Sequence, residues 1–202
     1  SSSFAGQYPG KHQALVPGSY VHFDQVIPKP DCPSLKTFFR PTQSQRGEDQ
    51  AIMSWDMEHG LFINKNGSIE FRWAGTSLSS NKPLNDLRWY EVSASLEPES
   101  KTIQMELRSL EFDQIELFQT PFTGVVNSTA ADATFCIAAC HQNSKITAVF
   151  DGKIERPGII INQSEVLADW DFSRTQSTDV ILDGGKNAFH GKLVNCPQRA
   201  MT

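Results

Sequence analysis

Residues 61–73, LFINKNGSIEFRW, constrain the fold more than any other part of the sequence. Two apolar-rich stretches flank Asn66-Gly67, a dipeptide that tolerates the positive φ angles of a tight turn. In the second stretch Ile69, Phe71 and Trp73 alternate with polar residues, which is the period of a strand buried on one face. The segment therefore predicts a β-hairpin that contributes these three side chains to a core.

Similar strand-like segments recur along the chain, separated by turn-forming residues. Residues 88–98 and 101–110 predict a second hairpin, and further strands are expected at residues 19–23, 35–42, 133–140 and 145–161. The one helix expected is a short turn at residues 162–170, where Asn162 or Ser164 could cap the N-terminus. This pattern predicts an all-β chain of roughly ten to thirteen strands in a two-sheet antiparallel jelly-roll sandwich, with a closed barrel as the alternative.

The chain length of 202 residues is enough for one well-buried core, and we expect a single domain over residues 1–202. Residues 1–18 are expected to form an extended N-terminal segment. They lack an apolar stretch behind a basic region, so no secretory signal peptide is predicted in this sequence. A cytoplasmic location is expected, and a signal that has been removed is the alternative.

Residues 167–195 are expected to close the sandwich from the C-terminal side, because the front of the chain offers no equivalent strand. The alternative is that they open another domain. Trp170 and Phe172 alternate with aspartates, as in a strand with one inward face. We therefore predict that Trp170, Phe172 and Leu193 are buried against residues 19–23 or 152–161.

The charge pattern disfavours two classes of partner. The formal net charge is -5 and lysines and arginines do not cluster, so nucleic acid is not an expected partner. No apolar run approaches the roughly 20 residues that span a bilayer, so no membrane segment is predicted.

Several motifs in order resemble the concanavalin A-like, laminin-G-type jelly roll. They are the glycine-turn hairpin described above, the stretch PLNDLRWYEV at residues 83–92, and FDGKIE at residues 150–155. The resemblance implies the same two-sheet sandwich.

A more specific resemblance covers nearly the whole chain. GQYPGKHQALVPGSYV at the front, FDGKIERPGI late in the chain, and ADWDFS followed by HGKLVNCPQRAMT at its end resemble the large-subunit family of N,N-dimethylformamidase. The resemblance implies that the iron-binding active site, built in that family from tyrosines and a glutamate, lies in a later region absent here. No catalytic residue or cofactor is therefore carried over, and we expect the chain to be excised from a larger protein.

Three carboxylates form the clearest enzymatic hint within the chain. Glu111, Asp113 and Glu116 have the E-x-D-x-x-E spacing of laminarinase-type glycoside hydrolases, in which one carboxylate is the nucleophile and another the acid/base. On a strand Glu111 and Asp113 share a face, but Glu116 joins them only across a bulge. The preceding Ser-Leu departs from the glycosidase motif, so a chance match to the spacing is the alternative.

Binding residues of other kinds are sparser. Trp73 and Trp89 are candidate platforms for sugar stacking, although the alternation around Trp73 also predicts a core position. A rim calcium site would draw on loop aspartates, of which four are available: Asp24, Asp151, Asp169 and Asp171. His190, before Gly191, is expected to fix the turn into the last strand by a hydrogen bond.

These observations favour a non-catalytic accessory or assembly module of an N,N-dimethylformamidase-like amidohydrolase subunit. Its partners would be other domains or subunits of the parent protein. The alternative is a carbohydrate-binding, lectin-like module with a glycan partner. A laminarinase-like glycoside hydrolase is a third, less favoured hypothesis.

Overall fold

The computed structural model describes the backbone of residues 14–15 and, in full, residues 19–125, 133–172 and 179–194. These residues form 17 strands and no helix. The strands are, in chain order, β1 (Ala14–Leu15), β2 (Tyr20–His22), β3 (Pro33–Pro41), β4 (Gln50–Asp56), β5 (His59–Ile63), β6 (Ile69–Trp73), β7 (Thr76–Ser79), β8 (Tyr90–Glu97), β9 (Thr102–Ser109), β10 (Gln114–Pro121), β11 (Cys136–Ile137), β12 (Cys140–Gln142), β13 (Lys145–Thr147), β14 (Gly152–Ile161), β15 (Glu165–Asp169), β16 (Val180–Ile181) and β17 (Gly191–Val194).

The strands form two large sheets and one small hairpin, and every pairing is antiparallel. The seven-stranded sheet has the order β1-β14-β3-β8-β9-β10, with β15 also paired to β14. The eight-stranded sheet has the order β16-β17-β2-β11-β4-β5-β6-β7. Strands β12 and β13 pair only with each other. The predicted two-sheet antiparallel sandwich is confirmed.

Both predicted hairpins are confirmed. Strands β5 and β6 pair from Ile63 opposite Ile69, around the Asn66-Gly67 turn. Strands β8 and β9 pair from Glu97 opposite Thr102. In β8 every second residue is buried, because that face of the strand meets the core while the other faces solvent.

The core lies between the two sheets as one continuous apolar cluster. Its centre is aromatic: Trp55 lies edge-on to Trp73, with ring centroids 5.5 Å apart, and 4.7 Å from the ring of Phe135. Aromatic pairs in such geometries add to the stabilisation from apolar burial. The indole N–H of Trp55 donates to the backbone oxygen of Ile27 at 3.0 Å, so burial leaves no polar atom of the ring unsatisfied.

The C-terminal segment completes the sandwich as predicted. Trp170, Phe172 and Leu193 are buried. Strand β17 pairs with β2, placing Leu193 opposite Val21. The ring of Trp170 stacks on Phe135 at 5.4 Å between centroids, so this late segment packs on the central aromatic cluster.

Two details of the prediction are wrong. No helix forms at residues 162–170, because Asn162 and Gln163 take positive φ angles in a tight turn and the chain returns as β15 along β14. The strands also exceed the predicted number, because pairs of very short strands such as β12 and β13 lack the length that gives a recognisable alternation.

Candidate binding surfaces

A groove of about 600 Å³ opens where loops meet beside the eight-stranded sheet. Four segments form it: the loop between β3 and β4, the tight turn after β4, the tight turn after β5, and the end of β13 with the chain that follows it. Its lining residues are Arg46, Glu48, Asp49, Met57, Lys65, Thr147, Ala148 and Val149. We call this feature the charged groove, because four of its lining residues carry a formal charge.

Arg72 anchors one wall of the charged groove. It lies between the core residues Phe71 and Trp73 in β6, so its side chain projects to the outer face of the sheet. One Nη atom lies 3.2 Å from the Asp49 carboxylate, the other donates to the backbone oxygen of Met57 at 3.2 Å, and Nε pairs with Glu70. These contacts hold Asp49 in place at the groove.

The guanidinium of Arg72 also lies over an aromatic ring, 4.2 Å from the centroid of Phe62. Burial by itself disfavours the arginine charge, but the hydrogen bonds and charges of Glu70 and Asp49 outweigh it and raise the pKa of Arg72. The wall of the groove therefore carries an ion network in which two carboxylates surround one charged guanidinium.

Two cationic side chains of the charged groove have unused donors among the described residues. Arg46 donates one Nη hydrogen to the backbone oxygen of Val149 at 2.8 Å. Its Nε is buried, lies 3.6 Å from the Glu48 carboxylate, and has no hydrogen-bond partner in the described part of the chain. Lys65 is exposed in the β5–β6 turn. Lys65 could donate to an acceptor that enters the groove, whereas Arg46 Nε is an unsatisfied donor buried in its wall.

The turn after β4, which carries Met57 into the groove, is held by an acid–histidine pair. The Asp56 carboxylate accepts from the backbone N–H of Glu58 at 2.8 Å and lies 2.8 Å from Nδ1 of His59. Burial opposes ionisation of Asp56, but the hydrogen bonds from His59 and Glu58 outweigh it and lower the pKa of Asp56. His59 also packs edge-on against Trp73, with centroids 4.9 Å apart.

A second surface lies at the outer edge of the seven-stranded sheet. Strand β10 is the last strand in that sheet, and no described strand pairs with its outer side. Ile115 is 55% exposed, Leu117 is 75% exposed, and Phe112 in the preceding turn is 63% exposed. We call Phe112, Ile115, Leu117 and Gln119, with the backbone edge of β10, the β10 edge surface.

The rest of the outer face differs from the β10 edge surface. Register places Ser95 opposite Gln104 and Ser93 opposite Glu106, on the strands next inward. A shallow cleft of about 290 Å³ follows these small polar side chains. Exposed apolar side chains therefore concentrate at the free edge, where an unpaired strand can add another strand.

The three carboxylates of the E-x-D-x-x-E motif are held separately. The sequence pattern predicts that Glu111 and Asp113 share one face of a strand. Strand β10 begins only at Gln114, so both residues lie in the turn before it. Glu111 pairs with Arg88, whereas Asp113 lies 3.4 Å from Arg108. Glu116 is exposed within β10. Each of the first two is thus oriented by a different arginine.

The two candidate tryptophans are core residues. Trp73 is 2% exposed between Trp55, Phe71 and His59. Trp89 is 6% exposed and packs with Leu110 and Phe38. Neither ring presents a face to solvent on which a sugar could stack.

The loop aspartates proposed for calcium serve other contacts. Asp24 lies 3.1 Å from His22, Asp169 lies 3.5 Å from Arg156, and Asp151 is buried. Within residues 19–125, 133–172 and 179–194 no group of three or more His, Cys, Asp or Glu residues could hold a metal ion.

His190 fixes the turn before the last strand as expected. Its Nδ1 accepts from the backbone N–H of Asp183 at 3.0 Å. The Asp183 carboxylate accepts from three backbone N–H groups of neighbouring turns, those of Asp169, Gly185 and Phe189, at 2.8–2.9 Å. This hydrogen-bond network connects the ends of β15, β16 and β17.

Two cysteines, Cys136 and Cys140, are buried thiols with raised pKa values. Burial, with a smaller contribution from Cys140, raises the pKa of Cys136 to about 12. Burial likewise raises the pKa of Cys140. Both thiols therefore stay protonated at neutral pH, where only the thiolate reacts.

Sequence reasoning missed both surfaces. The charged groove is built from residues far apart in the chain, such as Asp49 and Arg72, and no local period links them. The β10 edge surface had a visible signal: Ile115 and Leu117 alternate with Glu116 and Phe118, so apolar residues occur on both faces of the strand.

Sequence comparison relates the chain to one kind of enzyme subunit. It is 25% identical to the N,N-dimethylformamidase beta subunit of an Alcaligenes species, over 100% of this chain and 33% of that protein. The beta subunit of Paracoccus aminophilus gives the same identity and the same coverage. The chain thus spans about a third of the length of the curated relatives it matches. No protein-family model matches it.

Solved structures with the same fold include proteins linked to carbohydrates. A protein assigned as carbohydrate-binding, from Bacteroides ovatus, has a TM-score of 0.68 at 13% identity, over 96% of this chain and 59% of that one. The LG1-3 region of the laminin alpha2 chain has a TM-score of 0.55 at 17% identity, over 74% and 31%. The CBM40 module of a Ruminococcus gnavus sialidase, solved with sialyllactose, has a TM-score of 0.53 at 11% identity, over 74% and 88%.

At such low sequence identities, these structural matches show a shared fold and nothing more specific.

Across the described residues, no helix is long and apolar enough to cross a membrane. The resemblances predicted from the motifs are confirmed: the chain is a laminin-G-like jelly-roll sandwich with weak homology, over its whole length, to the N,N-dimethylformamidase beta subunit.

Proposed function

We propose that this chain is a non-catalytic accessory and assembly module of an N,N-dimethylformamidase-like amidohydrolase. The observation that carries the proposal is the alignment, in which the whole chain matches only a third of each relative. The amide-hydrolysing chemistry, and the iron that would supply it, then belong to residues outside this chain.

The state of the candidate carboxylates supports a non-catalytic role. A retaining glycosidase holds two carboxyl groups about 5 to 5.5 Å apart, with one kept protonated. Here Glu111 and Asp113 are each neutralised by an arginine, and Glu116 stands in solvent on the following strand. These carboxylates act as surface ion pairs at the β9–β10 turn.

The β10 edge surface supports the assembly role. Exposed apolar residues on a free strand edge are a usual site for pairing with another chain or domain. Replacing Leu117 by lysine puts a charge into such a contact without touching the core, since the side chain is 75% exposed.

The test compares L117K with V26K in the full product of the gene. Val26 is 80% exposed in the β2–β3 loop, so V26K is a matched change elsewhere on the surface. We expect L117K to lower formate release from N,N-dimethylformamide and to loosen the assembly seen by light scattering, while V26K leaves both unchanged. Equal activity and equal mass for L117K, V26K and the unaltered protein would contradict the assembly role.

The charged groove favours carbohydrate binding as a second candidate function. It combines free cationic donors, carboxylate acceptors and the apolar edge of Met57, which is the mixture that sugar hydroxyls and ring faces require. A ligand that carries a carboxylate would also engage the exposed ammonium of Lys65 directly.

Calorimetric titration with neutral and acidic oligosaccharides tests this second candidate. Binding should fall at least about tenfold in K65A and R46A, because each variant removes a charged donor. K82A removes an exposed lysine outside the groove and is the matched control. Binding that is the same in all three variants, or no binding of any sugar at millimolar concentration, would exclude the groove as a glycan site.

A further inference from the structure

The backbone of β10 presents a regular row of donors and acceptors to solvent. The N–H of Phe122 donates to the oxygen of Lys101 directly across the β9–β10 register, at 2.8 Å. In an antiparallel pair such hydrogen-bonded positions alternate. Even-numbered residues of β10 therefore bond to β9, whereas Ile115, Leu117 and Gln119 direct their N–H and C=O groups to the free edge.

We propose that β10 pairs with β10 of a second copy of this chain, antiparallel about a two-fold axis at Leu117. The proposal rests on the assembly role above and names its partner. The two seven-stranded sheets then continue into one sheet across both copies. Ile115 lies opposite Gln119 of the second copy, Leu117 lies opposite Leu117, and six backbone hydrogen bonds form.

Charge and donor complementarity select this register over its neighbours. A two-fold axis at Glu116 would set two carboxylates directly opposite each other, which is destabilising. An axis at Phe118 would pair Ile115 with Pro121, which has no N–H to donate. With the axis at Leu117, Glu116 faces Phe118 and all three outward residues have both a donor and an acceptor.

The sequence of β10 also lacks the usual protection of an edge. Protected edges carry lysines, interior prolines or bulges, or they are short. Strand β10 is eight residues long, its register against β9 is unbroken, and its one charged residue is Glu116. Its proline is the last residue of the strand.

The first test is the mass of the purified chain by light scattering and sedimentation, from about 10 μM to about 1 mM, because small interfaces are weak. We expect a concentration-dependent dimer whose dissociation constant rises about tenfold or more in L117K, through two opposed lysines, and is unchanged in V26K. A monomer throughout this range, or higher oligomers without a dimer, overturns the proposal.

Cysteine cross-linking tests the register, in a background with Cys32 and Cys196 replaced by serine. Opposed Leu117 residues have Cα atoms about 5.5 Å apart, within disulfide reach, so L117C should oxidise to a covalent dimer. The two copies of residue 115 lie roughly 14 Å apart, so I115C should not cross-link, whereas an equimolar mixture of I115C and Q119C should. A disulfide in I115C by itself, at a rate equal to that of L117C, overturns this register.

The outcomes also separate this proposal from the assembly role. If the chain stays monomeric but L117K still lowers activity of the full gene product, the edge binds another domain and the self-pairing is wrong. If the chain dimerises with the predicted cross-links but L117K leaves that activity unchanged, self-pairing holds and the assembly role fails.

Discussion

Truncation of Trp170 tests whether the last part of the chain belongs to the sandwich. Its side chain is fully buried, stacks on Phe135 and lies 5.1 Å from the ring of Phe23. Its indole N–H donates to the backbone oxygen of Phe189 at 2.7 Å. The substitution W170A removes the ring contacts and this hydrogen bond together.

The expected cost follows from both losses. Truncating a buried tryptophan to alanine costs about 3–5 kcal/mol of unfolding free energy. Leaving the carbonyl of Phe189 without a donor adds a cost of about 1–3 kcal/mol, which is reduced if a water molecule donates to that carbonyl instead. We therefore expect W170A to lower the free energy of unfolding by about 4–6 kcal/mol and Tm by about 10–20 °C. W170F keeps a stacked ring and should lose about 1–3 kcal/mol through the missing donor.

Urea unfolding followed by circular dichroism and by tryptophan fluorescence measures these changes. The control V180A alters a side chain that is 41% exposed in the same segment, and should cost less than about 1 kcal/mol. The two probes should give one coincident transition in every variant. A value for W170A within about 1 kcal/mol of V180A, or an early separate transition in the unaltered chain, would show that residues 167–194 are not part of the cooperative core.

Three further substitutions test the hydrogen bonds of Asp183, the hydrogen bonds of Asp56 and the close backbone contact at Gly60. D183A leaves three N–H groups without their carboxylate acceptor, and should lower the free energy of unfolding by about 3 kcal/mol in urea unfolding. D56N should make the free energy of unfolding less dependent on pH in the acidic range. The folded pKa of Asp56 lies below its ordinary 3.8, so its stabilisation is present above that pH and is lost as pH falls through the folded value. Unfolding measured at about pH 6 and about pH 2 should therefore differ less in D56N than in the unaltered protein. G60A places a Cβ 2.3 Å from the backbone oxygen of Met53 at a φ of +153°, and should cost at least about 2 kcal/mol in the same assay.

Matched variants control these three changes. D24A removes a carboxylate whose side chain is 92% exposed and should change stability by less than about 1 kcal/mol. G47A changes a glycine that also has positive φ but has open space around it, so its cost should stay near 1 kcal/mol. A D183A or G60A variant no less stable than its control would contradict the contacts described, and an equal pH dependence in D56N would contradict the assigned pKa.

The sandwich could be predicted because several of its strands, such as β6 and β8, alternate between buried and more exposed residues. In β6 and β8 every second residue is buried in the core, and the adjoining hairpin turns contain typical turn-forming residues. Local sequence and tertiary packing therefore favour the same structure. The closing position of Trp170 could be predicted for the same reason. The helix expected at residues 162–170 failed because pairing of β15 with β14 satisfies that backbone better than an isolated short helix.

The binding surfaces could not be predicted in this way. The charged groove depends on Arg72 meeting Asp49 across two strands and a loop, and such contacts follow only from the assembled sheet. The exposure of Leu117 depends on β10 being the last strand of its sheet, which is a property of topology. Trp73, by contrast, could be assigned to the core from alternation, whereas the burial of Trp89 follows only from the structure. The glycan hypothesis therefore moves from these rings to the groove.

The non-catalytic role of this chain can be tested by measuring formate release from N,N-dimethylformamide by the purified 202-residue chain, with and without added ferrous iron. We expect no release above buffer in either condition, and we expect the full product of the gene to hydrolyse the amide under the same assay. Hydrolysis by the isolated chain that E111Q abolishes would contradict the account, because it would place the chemistry on the very carboxylates that Arg88 and Arg108 hold as ion pairs.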